Sequence, residues 1–383
     1  MNTVSVSIPV LRWAAGRVGL GDTELENRFM KWPLWLSGEA LPTLKQLEEF
    51  ARLTHTPFGY FFLPNPPEVT LPVPDFRTHR NGRLREPSTA LLDTIFLSQQ
   101  RQDWFRDYAL LQGLQTLSFV GSASISDDTD AVATQIRQVL SLSAEEREAL
   151  PTWTDALRQL ITKAENAGVL VMASSIVGSN SHRKLDIGEF RGFALADNLA
   201  PLVFLNAADS KAAQMFTLAH ELAHIWLAAS GISDPEAGKL PDLQVESWCN
   251  RVATELLVPI EELHAVHNPD LSVEEEMQRL ARLFKVSTLV ALRRLFEARL
   301  IDRETMGRCY REELDRIFSL EGGKSGGGDF YRTLGARTGK RFARALLSNT
   351  LEGQTLFRDA FRLLGVRKSA TFYEAARELG VIS

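Results

Sequence analysis

Phe216-Thr217-Leu218-Ala219-His220-Glu221-Leu222-Ala223-His224-Ile225-Trp226-Leu227 is the stretch on which the reading of this chain turns. Its apolar residues recur on every side, so it predicts a largely buried helix. Two histidines and a glutamate inside such a helix need a reason, because burying polar groups without partners costs free energy. Residues four apart share a helical face, so the imidazoles of His220 and His224 can reach one ion. Glu221, one position on, can meet a water beside that ion. The competing reading is a core helix whose histidines are satisfied by hydrogen bonds alone.

The next predicted helix, residues 243–257, is closed by Pro259 and carries Glu246, with Asn250 four positions later. A catalytic zinc usually has three protein ligands and one open position. Glu246 can be the third ligand, while Asn250, on the same helical face, accepts the far N–H of a ligating histidine and fixes its ring. The alternative is a solvated helix with an ordinary surface glutamate. With His220, His224 and Glu246 as ligands, the expected chemistry is metal-assisted peptide hydrolysis. Glu221 would take the proton of the attacking water and pass it to the leaving amine. A donor for the oxyanion is also needed. His182, Arg191 and Tyr331 are candidates, each with an ordinary structural reading beside it. Two imidazoles and a carboxylate suit zinc best, and would also accept manganese or iron.

Working outward, residues 168–173, 190–195 and 202–205 predict strands. Residues 131–142, 154–167, 209–229, 273–284 and 289–297 predict helices. The fold class is therefore α+β and mostly helical, with a small β-sheet in the central domain. Residues 1–66 read as short helices with tight turns. One runs from Val10 to a stop at Gly16 or Gly19, one is capped by Asp22, and one is capped by Thr43, with Pro33 interrupting between the last two. Residues 64–88 hold Pro64, Pro66, Pro67, Pro72, Pro74 and Pro87 and read as an extended linker, followed by helical pattern over 91–117. Gly322-Gly323-Lys324-Ser325-Gly326-Gly327-Gly328 reads as a hinge. The expected domains are 1–66, 67–127 (linker and helical segment), 128–321 (metal-binding core) and 322–383 (hinge and basic helical extension).

The 383 residues carry a net charge of −5, with 44% hydrophobic and 24% charged residues, the profile of a soluble globular chain. Residues 329–383 hold ten Lys/Arg against five acids, a balance of +5 that leaves −10 for the remainder. Two isolated cysteines, Cys249 and Cys309, imply no disulfide framework and fit a reducing compartment. No signal peptide or membrane-spanning run is visible, so the expectation is a cytoplasmic protein.

These residues resemble the ImmA/IrrE metallopeptidases. The likeness is carried by 216–224, by Glu246-Ser247-Trp248-Cys249-Asn250, and by Glu255-Leu256-Leu257-Val258-Pro259. Upstream, Glu189-Phe190-Arg191-Gly192-Phe193 and Pro201-Leu202-Val203-Phe204-Leu205-Asn206 add to it. The N-terminal part is similar to the Xre-type helix-turn-helix fused to such enzymes, through residues 35–39, 42–47, 58–64 and 74–78. The tail from Gly326 looks like the extension of long members. The resemblance implies a gluzincin-like zinc core with His220, His224 and Glu246 as ligands and Glu221 as base. It also implies a regulatory role, with either a repressor-type protein substrate or a PIN-type nuclease toxin as partner. Cys249 and Val258 depart from the usual small residue and Met, and neither is a ligand.

Direct DNA recognition is poorly served by residues 1–66, where six basic residues meet six acids. The segment expected to read bases, Met30-Lys31-Trp32-Pro33-Leu34-Trp35-Leu36, is apolar and broken by Pro33. An interaction or dimerisation module, and with it a homodimer, is the competing reading. Arg337, Lys340, Arg341 and Arg344 recur at helical spacing in the tail. They offer DNA a second route, against the alternative of a solvated basic face. Gly322-Gly323-Lys324-Ser325 is not a nucleotide loop, because Phe318 stands where the motif needs glycine.

Overall fold

The structure, a computed structural model, describes residues 3–68, 70–75, 86–143, 146–147, 149–233, 244–320 and 330–382, with backbone only at 318–320 and 330–333. The chain forms two compact units. One comprises Met1–Pro72 and Arg80–Ile95, the other Val73–His79 and Phe96–Ser383.

The first unit is built from α1 (Ile8–Arg17), α2 (Asp22–Arg28), α3 (Trp32–Ser37), α4 (Leu44–Thr54) and a 3-10 turn at Phe58–Phe62. Asp22 opens α2 as its first residue, and Gly21 is the cap. Pro33 starts α3 instead of interrupting a helix: in a first turn its missing N–H has no intrahelical partner to lose. Thr43 caps α4 as expected, with its N–H donating to Gln46 Oε1 at 2.9 Å in a reciprocal capping box. Phe29, Trp32, Trp35, Phe50 and Phe61 form an aromatic core, with Trp32 stacked on Phe50 at 5.3 Å.

Helix α5 (Thr89–Leu111) stops short of residue 117. Gly113 turns the chain out of it in the left-handed region, at φ 65°. Two further helices, α6 (Thr129–Leu140) and α7 (Trp153–Ala167), lead to the strands of the second unit. These are β1 (Leu170–Ser174), a hairpin of β2 (Ile176–Val177) with β3 (Asn180–Lys184), then β4 (Gly192–Leu195) and β5 (Leu202–Asn206). Helix α8 (Lys211–Trp226) follows, then β6 (Gly231–Ser233) and α9 (Gln244–Leu257). The sheet order is β1-β5-β4-β6, with β1 and β5 parallel and the other pairs antiparallel. Every residue of β1, β4, β5 and β6 is buried, which explains their near-continuous apolar runs. The outer edge of β6 is taken by the chain itself: the Ile232 N–H donates to the Pro74 carbonyl at 3.0 Å, and Asp75 bridges Ile232 in parallel.

The remaining helices are α10 (Ile260–Val266), α11 (Val273–Phe284), α12 (Thr288–Glu297) and α13 (Arg303–Leu320). They are followed by α14 (Phe330–Thr338), α15 (Lys340–Leu351), α16 (Phe357–Leu364) and α17 (Ser369–Glu378). Helix α14 packs against β1, and the turn after it requires glycine. Gly339 sits at φ 76°, and a Cβ there would lie 2.8 Å from the Val171 carbonyl oxygen. The basic tail is only partly a solvated face. Arg337 is buried and Arg341 half-buried, while Lys340 and Arg344 are exposed. The Arg341 N–H donates to Glu165 Oε1 at 3.0 Å, and Arg344 Nε donates to the Leu379 carbonyl at 2.9 Å. Residues 322–328, read as a hinge, lie outside the described residues. Among the described residues no helix is long and apolar enough to cross a membrane.

Candidate metal centre

Helix α8 is capped by Ser210, whose Oγ accepts the Ala213 N–H, and its residues from Gln214 to Trp226 are all buried. Apolar neighbours on nearly every side drive that burial and carry His220, Glu221 and His224 into the interior. The two imidazoles lie on one face with Nε2 atoms 3.1 Å apart. Helix α9 packs across α8 and brings Glu246 between them. Its Oε2 is 3.2 Å from His220 Nε2 and its Oε1 is 3.0 Å from His224 Nε2. One turn further on α9, Asn250 Oδ1 lies 2.9 Å from His220 Nδ1, so the ring donates there and keeps Nε2 as a lone-pair donor.

This arrangement fits a metal ion. Ligand atoms held by one zinc at about 2.0–2.2 Å in a tetrahedron lie roughly 3.3–3.6 Å from each other. The three donors here stand close to that spacing, and all three residues are buried. Burial pushes the Glu246 carboxyl up, but the two histidines beside it outweigh this and hold it at about 2. Burial, with His220 adding to it, lowers the affinity of His224 for a proton, against the opposing pull of Glu246. A neutral imidazole beside an ionised carboxylate is the protonation state that coordination needs. Burial also pushes the Cys249 thiol well up, helped by Glu246 and Glu221, so its thiolate is strongly disfavoured although it lies next to the site.

Glu221 is fully buried, and neither carboxylate oxygen holds a hydrogen bond of good geometry among the described residues. Its proton affinity is raised well above the usual range, first by burial and then by the charge of Glu246, with the Ser233 hydroxyl pulling it partly back. Strand β4 leaves room for it only because residue 192 is glycine. A Cβ there would meet Thr217 Cγ2 at 2.5 Å, the Phe204 carbonyl at 2.9 Å and Glu221 Oε1 at 3.2 Å.

The fold thus brings together His220, Glu221, His224, Glu246 and Asn250. The three oxyanion candidates are placed apart in character. His182 is exposed on β3, Arg191 is ion-paired with Asp209, and the side chain of Tyr331 lies outside the described residues. Sequence reasoning missed Ser233, whose Oγ is 3.3 Å from His224 Nε2. Its only sequence signal is its place nine residues after His224, which has no helical or strand periodicity to mark it.

Residues 164–296 match the IrrE N-terminal-like domain, peptidase family M78. That family is typically zinc-dependent, and the match spans the whole constellation. Residues 338–378 match a domain of unknown function (DUF8813), which covers α15, α16 and α17. No curated protein matches the chain.

Proposed function

We propose that the chain is a zinc-dependent endopeptidase of the ImmA/IrrE type that cleaves a protein regulator. The observation that carries this reading is the convergence of His220 Nε2, His224 Nε2 and the Glu246 carboxylate within 3.2 Å, with Glu221 beside them. When bound, zinc supplies Lewis acidity, polarising the scissile carbonyl and acidifying water. The rest falls to the chain's own groups. Asn250 fixes the His220 ring, and His220, His224 and Glu246 would hold the ion. Glu221 accepts a proton from the attacking water as the new C–O bond forms. It then gives that proton to the amide nitrogen as the C–N bond breaks. A buried carboxylate beside the three ligands is placed for both transfers.

The test is a comparison, in the host, of wild type and Glu221→Gln. Fragments of a regulator that appear with wild type and vanish with the variant support proteolysis. A phenotype that survives Glu221→Gln removes it.

One observation favours a second reading, a regulator or antitoxin with a structural metal. His220, Glu221 and His224 have no solvent exposure at all, as a closed structural site would. Its signature is neutralisation of a partner such as a PIN-type nuclease without cleavage of either protein. For the first unit we infer protein recognition instead of base readout. Helix α3 has six residues, and Met30 and Leu34 beside and on it are exposed and apolar. Filter binding of the full chain to duplex DNA at graded salt tests this, since phosphate contacts make affinity fall steeply with salt.

A further inference from the structure

Ser233 ends β6, and its side chain is buried against the triad. Its Oγ lies 3.3 Å from Nε2 of His224, the same nitrogen that faces His220 and Glu246. The sheet places Ser233 a second way. It stands opposite Gly192 in the β4–β6 ladder, and Gly192 abuts the Glu221 carboxylate. The Arg191 N–H, one residue before, donates to the Ser233 carbonyl at 3.4 Å and ties down the backbone. The ladder therefore delivers a hydroxyl to the Glu221 side of the triad. Asn250 holds His220 through the other ring nitrogen.

Proton accounting sets the direction of that hydroxyl. An ion bound at Nε2 of His224 uses the lone pair and leaves no proton there to share. The Glu221 carboxylate can only accept while ionised, and its two oxygens are otherwise unsatisfied among the described residues. Donation to Glu221 is then the role left to the Ser233 O–H, and it would turn the Oγ lone pairs to where water must enter.

We propose that Ser233 is a positioning residue for hydrolysis: its hydroxyl donates to the Glu221 carboxylate and accepts from the attacking water, so that base and nucleophile are aligned. This rests on the metallopeptidase reading, and the experiment separates the two. Full-length wild type, Ser233→Ala and Ser233→Thr are loaded with Co2+. Their visible spectra are recorded, and turnover of a fluorescence-quenched peptide mixture is followed. Ser233→Ala is expected to keep one Co2+ per chain with shifted visible bands. Its kcat should be lower by on the order of tenfold, the loss of one charge-assisted hydrogen bond, at unchanged KM. Ser233→Thr, which restores a hydroxyl, should recover both. If the mixture is not cut, the spectrum decides alone. A Ser233→Ala protein with wild-type bands and turnover overturns the inference, as does one that fails to take up Co2+, since Ser233 would then be a ligand or a packing group. A wild type that takes up no Co2+ overturns the metal reading itself.

Discussion

Two of the places where the second unit buries charge do it in different ways. Under the C-terminal helices, Arg101 is fully buried. Burial lowers its proton affinity to about 9, with Arg337 adding to the effect. Yet its guanidinium ends on fixed acceptors, the Leu363 carbonyl at 3.0 Å and the Arg337 carbonyl at 3.2 Å. Nearby, Glu165 accepts the Arg341 N–H. Around His220 and His224 the pattern is reversed. Two imidazole nitrogens and a carboxylate, all lone-pair donors, face one another across 3.0–3.2 Å. In the first cluster the Arg101 guanidinium is satisfied by carbonyls of the protein itself, so it reads as structure. The second becomes complete with a cation. Buried charge alone does not mark a site; converging acceptors do.

The comparison breaks first at Glu221. Glu221→Gln should lower turnover by on the order of a thousandfold, the scale of a lost general base, and leave bound zinc unchanged. Paired turnover and metal analysis check this, and loss of zinc in the variant would make Glu221 part of the holding set. Next in size is Arg101→Ala. It strips the donor from two buried carbonyls and should cost about 3 kcal/mol of stability in denaturant unfolding. Its zinc content should match wild type; a variant that unfolds normally but loses metal would show the two clusters are coupled. Asn250→Ala frees the His220 ring and should weaken zinc binding by roughly 10–100-fold in a chelator competition.

The smallest effect concerns the metal-free protein. Folding raises the pKa of Glu221, so the contribution of this group to stability is greatest below its unfolded value and falls as pH rises past about 4.5. Glutamine does not ionise. Metal-free Glu221→Gln should therefore melt higher than metal-free wild type at pH 7, with the gap closing towards pH 4. A gap that widens on acidification would contradict the assigned environment.

The triad was legible because helical spacing is local. His220 and His224 are four apart, as are Glu246 and Asn250, and each pair needed only its own helix to share a face. The core strands were legible from apolar runs, though Phe190 and Arg191 lie before β4 begins at Gly192. What escaped depends on contacts far along the chain. Strand β6 is three residues long and is recognisable only through its pairing with β4 and Pro74. Ser233 enters the site through that pairing. Arg337 and Arg341 look like a solvated stripe until Glu165 and β1, more than 160 residues earlier, are brought against them. Pro33 could stop a helix or start one, and Trp32 and Trp35 buried in the aromatic core decide for the start.

In the proposed enzyme, His220, His224 and Glu246 close around one zinc. X-ray absorption at the zinc edge of the full-length protein, purified without chelator, tests it most directly. The expected result is one zinc per chain with nitrogen and oxygen neighbours at about 2.0–2.2 Å, an imidazole scattering pattern from two histidines, and no sulfur. Absence of zinc, or a sulfur neighbour at about 2.3 Å from Cys249, would contradict it.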